Sequence, residues 1–317
     1  MRPGGRRRGS AIHDGLVGAR ALVGTPYLAN PALREQYAQD IAPRTEVALA
    51  RVLQHGWAGL PAPARALDLG AGTGAVGRAV RQRFGQDLEV ITVDRTAGPG
   101  VIRANLAVEL PPVEGQFQLI VAAHLLNELF VDRAAPDRAA LRAARVLAWA
   151  RAFLAPAGRV ILIEPALRET SRELLAVRDR LLAAGLHVVA PCFFQGPCPA
   201  LASERDWCHD AAAVAGQRAR VDFSYLVLAA AAPPVERPAH ERVVSDRLPE
   251  KGRLRLYVCG AEGRRELVRL DRHRSPANAA LDTVSRGDAL SMERAERGGS
   301  GLRVTPETTI VLAGPEA

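Results

Sequence analysis

Lysine is almost missing from this chain: of 42 lysine and arginine residues among 317, Lys251 alone is lysine. Anionic groups are therefore met by guanidinium forks, which pair with phosphate in bidentate fashion, rather than by compact ammonium charges. Aromatic residues make up only 4%, so alanine, leucine and valine must fill the core, and recognition by many stacked rings is excluded. Long apolar runs are also lacking. The longest, Tyr225 to Val235, is broken by Pro233 and Pro234 and falls short of the roughly 18 residues a membrane helix needs, so no membrane contact is expected. The arginines at positions 2, 6, 7 and 8 lead into no apolar segment, because His13, Asp14 and Arg20 interrupt it. That argues against a secretory signal and for a reducing, cytoplasmic setting.

What is present is ordinary globular material, 48% hydrophobic and 24% charged, at a length that suits one large domain with an attachment, or two domains. Residues 1–20 hold five arginines and one aspartate, half of the net charge of +8. Residues 1–24 are read as a disordered basic tail. An amphipathic helix follows over 32–55. From Arg65 onward short apolar strands alternate with helices: a strand over 66–69, a glycine-rich turn, a helix over 75–84, and further strands over 88–93, 119–122 and 159–163. A long helix is expected over 138–154. This alternation predicts an α/β, doubly wound parallel sheet covered on both faces. Thr170 and Glu173 suggest a capping box for the next helix, and Gly185 its end. Strands over 187–190 and 223–230 close the sheet. This first domain is placed at 25–231, followed by a Pro/Ala linker. A small β domain is placed at 239–317, because there the pattern changes to a period of two, as in Arg253-Leu254-Arg255-Leu256-Tyr257-Val258.

The first motif with chemical content is Leu67-Asp68-Leu69-Gly70-Ala71-Gly72-Thr73-Gly74, a strand running into glycines before a helix. Glycines there let the backbone approach a nucleotide-like ligand. Asp94, closing the next strand, is placed to accept hydrogen bonds from a ribose diol. Gly72, Gly74 and Gly77 also satisfy the dinucleotide fingerprint. The pattern from Asp68 to Gly74 resembles the S-adenosylmethionine site of class I methyltransferases, whose sheet ends in an antiparallel strand, and that resemblance favours S-adenosylmethionine instead.

The second constellation is the four cysteines, Cys192, Cys198, Cys208 and Cys259, three of them in one stretch rich in proline and glycine. Such clustering exceeds what core filling gives, and disulfides are disfavoured in a reducing compartment. A metal site is the better reading. The spacing lacks paired Cys-x-x-Cys knuckles, which leaves an iron-sulfur cluster or zinc open, with His209 able to replace one thiolate in the zinc case.

Taken together, these blocks resemble the methyltransferase-like assembly factors of the mitochondrial small ribosomal subunit and their bacterial relatives. The resemblance is carried by Leu67 to Gly74, His124-Leu125-Leu126-Asn127-Glu128-Leu129, Ile163-Glu164-Pro165, Ala190-Pro191-Cys192, Gly196-Pro197-Cys198-Pro199, Asp206-Trp207-Cys208-His209, Phe223 to Leu228, and Leu256-Tyr257-Val258-Cys259, over roughly residues 30–290. Ala166 and Arg286-Gly287-Asp288 depart from the family pattern. The resemblance implies a class I S-adenosylmethionine methyltransferase fold whose cofactor is held by Asp68, Gly70, Gly72, Gly74, Asp94 and Asn105. It also implies a 4Fe-4S cluster on Cys192, Cys198, Cys208 and Cys259, and binding to small-subunit ribosomal RNA. Off the ribosome the protein is expected to be a monomer.

Turnover is a separate question. The Asp/Asn-Pro-Pro-aromatic segment used for base amino methylation is replaced by His124 to Glu128, and the lysine-rich set for ribose methylation cannot exist with one lysine. Asn127 and Glu128 are the best-placed catalytic candidates. The window from Lys251 to Arg286 carries nine basic residues against four acidic ones and is expected to follow an RNA backbone. Two alternatives stand beside a structural assembly role: an active ribosomal RNA methyltransferase, and a small-molecule methyltransferase stapled by zinc.

Overall fold

The computed structural model describes residues 11–214, 219–232, 240–299 and 301–313. Its first sheet is built from β1 (Arg65–Leu69), β2 (Glu89–Asp94), β3 (Val101–Arg103), β4 (Phe117–Ala123), β5 (Leu154–Pro165), β6 (His187–Ala190), β7 (Asp210–Ala213) and β8 (Arg220–Ala229). The order is β3-β2-β1-β4-β5-β8-β6, with β7 also pairing with β8. β1 to β5 pair in parallel, and β8 runs antiparallel to both β5 and β6. Strands such as β4, apolar along nearly their whole length, require cover on both faces. Two apolar layers supply it. One gathers Trp149, Val146, Leu174 and Leu181 from α5 (Ala135–Phe153) and α6 (Arg168–Ala183). The other gathers Leu49, Val52 and Val80 from α3 (Ala42–Gly56) and α4 (Ala75–Phe84). The doubly wound sheet is as the alternation predicts, and its antiparallel last strand is as the resemblance implies.

Several elements differ from the sequence reading for identifiable reasons. Residues 1–10 of the expected tail lie outside the described residues. Residues 11–24, read as part of that tail, instead fold back: α1 (Ala11–His13) leads into a further helical turn, Ile12 is fully buried, and Leu16 and Leu22 pack beside Tyr27 and Tyr37. The helix expected over 32–55 is two, α2 (Pro31–Asp40) and α3. Pro43, next to the break, has no N–H to continue the ladder. α6 starts ahead of Thr170, whose hydroxyl accepts the Leu167 N–H at 3.3 Å. The linker expected at 231–238 falls mostly outside the described residues.

The second sheet holds β9 (Glu241–Val243), β10 (Leu248–Glu250), β11 (Arg253–Gly260), β12 (Gly263–Leu270), β13 (Ala289–Glu293), β14 (Glu296–Gly298), β15 (Gly301–Val304) and β16 (Thr309–Leu312). β11 and β12 form the hairpin read from the period of two. Its last residue pair is Gly260 with Gly263, and the positive φ of Gly263, 94°, is why glycine stands there. Residues 302–312, whose pattern predicts a single further strand, are split into β15 and β16 by a turn in which Thr308 Oγ1 accepts the Thr305 N–H. Val243, Leu256, Val258, Leu267 and Leu290 form this sheet's own core. The seam between the sheets is charged: Arg242 pairs with Asp210 at 2.9 Å, and Arg264 with Asp206 at 2.7 Å.

Candidate functional site

The glycine turn after β1 and the ends of β2 and β4 meet at the carboxyl edge of the parallel strands, the edge where open α/β sheets bind ligands. Gly70 and Gly72 adopt φ of 78° and 53°, a region that side chains other than glycine enter at a cost. Asp94 draws the turn down: its carboxylate accepts the Gly72 N–H at 2.9 Å and the Thr96 N–H at 2.7 Å. A cavity of about 260 Å3 opens above, lined by Gly70, Gly72, Asp94, Asn105 and His124 among others. Gly74 opens α4 behind it. Asp68 does not line the cavity. It lies fully buried beneath the turn, neither oxygen hydrogen-bonded, and burial together with the Asp94 charge pushes it up to about 8.

The turn's amides are largely spent within the protein. Gly70 and Ala71 donate to Val93 O, Gly74 to Ala71 O and Gly72 to Asp94. Few remain for a pyrophosphate, the group a dinucleotide brings to such a turn. A ligand that needs only close approach and a carboxylate for its ribose suits this cradle better.

A second cavity of about 260 Å3 lies beside the first, over the end of β5 and the start of β8, lined by Pro165, Ala166 and Phe223 among others. The two share Tyr27, Tyr37, His124 and Glu128 as a common wall. Tyr27 lies between the segments read as tail and helix and Tyr37 within that helix, and sequence reasoning assigned neither to a site. Tyr27 donates its hydroxyl to Glu128 Oε1 at 2.9 Å, and Arg95 donates to Glu128 Oε2 at 3.2 Å as well as to the carbonyls of Gly24 and Thr25. Burial raises Glu128 to about 7 despite those partners. Asn127 is buried, donates to His124 O at 3.0 Å and accepts from Arg20 at 3.4 Å. Beneath both, Glu164 accepts the Leu126 and Asn127 N–H groups, which fixes the turn after β4. Burial raises Glu164 also to about 7.

On the far side of α6, Cys192, Cys198, Cys208 and Cys259 line one small cavity of about 30 Å3. The first three follow β6, and Cys259 is brought in by β11 of the second sheet. None of the four is joined in a disulfide. Burial raises the thiols of Cys192, Cys198 and Cys259, Cys198 to about 12. Two buried guanidiniums missed by the sequence reading stand against the cysteines. Arg242 donates to Cys208 Sγ at 3.0 Å, and Arg178 reaches the carbonyls of Phe194 and Gly196 and favours the thiolate of Cys192. Asp179 accepts the Cys198 N–H at 3.0 Å. His209, stacked on Trp207 at 4.3 Å, lines the same cavity, and burial lowers it to about 4. Among the described residues, no group of three or more His, Cys, Asp or Glu side chains is arranged to hold a metal ion.

The basic window of the second sheet is largely neutralised by carboxylates of the same chain. Arg253, Arg255, Arg264, Arg265, Arg269, Arg274 and Arg286 each pair with a carboxylate. Its formal excess of positive charge therefore overstates what is free to meet a phosphate backbone. Among the described residues, no helix is long and apolar enough to cross a membrane.

A parallel sheet in this order, with an antiparallel strand inserted before the last and a glycine cradle at its carboxyl edge, defines the class I S-adenosylmethionine-dependent methyltransferase fold. Within that class the sequence matches the family described as "Mitochondrial small ribosomal subunit Rsm22" over residues 35–291, and the chain belongs to that family. No curated protein matches it. Among solved structures it is similar to a TehB-like SAM-dependent methyltransferase from Corynebacterium glutamicum, at 20% identity over 63% of this chain and 99% of that one, with a TM-score of 0.38. It is also similar to the plantazolicin methyltransferase BpumL in complex with SAH, at 7% identity over 69% and 97% of the two chains, with a TM-score of 0.44. A third is TrmN from Thermus thermophilus, at 18% identity over 60% and 52%, with a TM-score of 0.37.

Proposed function

We propose that this protein binds S-adenosylmethionine at the glycine turn and acts on small-subunit ribosomal RNA during assembly of the small ribosomal subunit. The observation that carries this reading is the cavity at the carboxyl edge of β1, β2 and β4, where Gly70, Gly72, Asp94 and Asn105 converge in a chain of this family. Gly70 and Gly72 give close approach, Asp94 retains lone pairs for a ribose diol, and Asn105 lies on the adenine side. Asp68 acts from below, as a buried carboxyl supporting the turn. S-adenosylmethionine supplies a methyl group activated on a sulfonium.

The cysteine cavity is the proposed seat of a 4Fe-4S cluster held by Cys192, Cys198, Cys208 and Cys259. A multi-iron core spreads four thiolates around a larger body, and Arg178 and Arg242 offer positive charge to offset its thiolates. Its role is structural: Cys259 ties the second sheet to the loop after β6.

The test is anaerobic purification with iron, sulfide and zinc analysis, followed by calorimetric titration of the same sample with S-adenosylmethionine and with NAD. The expected result is iron with acid-labile sulfide, and binding of S-adenosylmethionine alone, lost in Gly72→Asp. Preference for NAD would overturn the cofactor reading, and stoichiometric zinc the cluster reading.

A further inference from the structure

We propose that the second cavity, over the end of β5 and the start of β8, receives a single base of an RNA strand swung out of its stack, with His124 hydrogen-bonding the base edge. The proposal deepens the RNA reading above and rests on it. Three observations point to this ligand.

The first is placement. The cavity shares a wall with the cofactor cavity, formed by Tyr27, Tyr37, His124 and Glu128. A group seated there is next to the cofactor but separate from it, as an acceptor has to be. The second is shape and lining. About 260 Å3 is room for one ring system rather than a strand, and Tyr27, Tyr37 and Phe223 give it flat apolar sides. Enzymes that act on a base hold it in this manner, stacked between apolar faces and read along its polar edge. Arg44 also lines the cavity. It is exposed, and joins none of the ion pairs among the described residues. It is therefore free to take the phosphate beside an extruded base, a contact a small metabolite would not need.

The third observation is His124 itself. Its φ of 57° is left-handed, a conformation costing an ordinary residue about 1 kcal/mol or more. The neighbours enforce it: the His124 N–H donates to Ile163 O at 2.7 Å, and its carbonyl accepts from Asn127 at 3.0 Å. Strain retained in this way is a feature of functional sites. On the shared wall Tyr27 and Glu128 satisfy each other, whereas neither ring nitrogen of His124 has a hydrogen-bond partner among the described residues, and with Nδ1 closed off it is Nε2 that is left to meet a ligand. Burial lowers the imidazole to about 4, so near neutrality it is uncharged and its free nitrogen can donate or accept according to tautomer.

The experiment uses the full chain with S-adenosylhomocysteine present to occupy the first cavity. Saturation-transfer NMR then measures binding of AMP, GMP, CMP and UMP, and filter binding measures affinity for full-length small-subunit ribosomal RNA. At least one monophosphate is expected to bind through its base protons. Ala166→Trp, which fills the second cavity without touching the first, is expected to weaken it about ten-fold or more, the loss of one stacked base. Affinity for the long RNA is expected to change less than about three-fold, since backbone contacts dominate it. Phe223→Leu, a milder change that keeps an apolar side chain, is expected to weaken the monophosphate about three-fold. His124→Phe, which keeps the ring and loses the nitrogen, is expected to flatten discrimination among the four. Monophosphate binding untouched by Ala166→Trp, or absent from the wild type while the long RNA still binds, would overturn the base site and leave the RNA reading standing. Failure to bind the long RNA would end both.

Discussion

Trp149 and Arg242 are both almost wholly buried, yet they secure different parts of the molecule by different means. Trp149, on α5, sits in an apolar layer with neighbours from the sheet and from α6. Its contribution is shared among many contacts, and a neighbour that relaxes can recover part of what is lost. Arg242 lies at the seam between the two sheets, where its guanidinium meets Asp210, fully buried, and Cys208. A charge there depends on one or two partners, and removing it strands the other charge in a low dielectric. The parallel sheet is thus held by distributed apolar burial, and the attachment of the second sheet by a few concentrated polar links.

The largest effect should come from breaking the concentrated side. Arg242→Ala is expected to destabilise the metal-free protein by about 3–5 kcal/mol in urea unfolding. The double variant Arg242→Met with Asp210→Leu should recover most of that, because no charge is left stranded. A single-variant cost below about 1 kcal/mol would mean the seam is held some other way.

The sheet also buries carboxyls, and Asp68 on β1 provides the next test. Its folded-state value is raised from the usual 3.8 to about 8 by burial and by Asp94. The folded protein therefore holds a proton that the unfolded chain releases above about pH 4, and stability contributed at low pH is lost as pH rises toward 8, at up to about 1.4 kcal/mol per pH unit. Asp68→Asn should flatten this fall between pH 5 and 8, leaving the variant relatively more stable at pH 8 than at pH 5. Parallel pH profiles for the two proteins would show that Asp68 is ionised in the fold after all.

The smallest effect sharpens the contrast within the seam. Arg51, on α3, and Asp288, just ahead of β13, also bridge the two halves, at 3.5 Å, but with side chains 26% and 30% exposed. A double-mutant cycle should give this pair about 0–1 kcal/mol. A coupling as large as that of Arg242 with Asp210 would show that burial is not what separates them.

The same division explains what the chain disclosed in its sequence. The glycine turn is local: strand, glycines and helix are contiguous, so Asp68 to Gly77 announce themselves, and the apolar run of β4 marks a strand covered on both faces. The wall of the second cavity is assembled from positions as distant as Tyr27 and Glu128, and no periodicity connects them. Residues 11–24 looked like tail because arginine and glycine dominate the start of the chain, while Ile12, Leu16 and Leu22 are too sparse to announce a packed segment. The cysteines were legible as a cluster through their proximity in sequence. Arg178 and Arg242 were not, since one arginine among 41 carries no mark of burial. Likewise the basic window predicted an open cationic face, because the carboxylates that pair with it, Asp206, Glu241 and Asp246 among them, lie outside it.

One feature of the cysteine cavity bears on how the chain is made. Three of its thiols lie between residues 192 and 208, but the fourth, Cys259, comes 51 residues later on a strand of the second sheet. At about 5–20 residues per second, a growing chain carries an incomplete set of three thiols for several seconds before the fourth is even synthesised. The cavity can close only around a chain that has been translated through β11, so its completion separates chains that have reached the second sheet from those that stopped short of it.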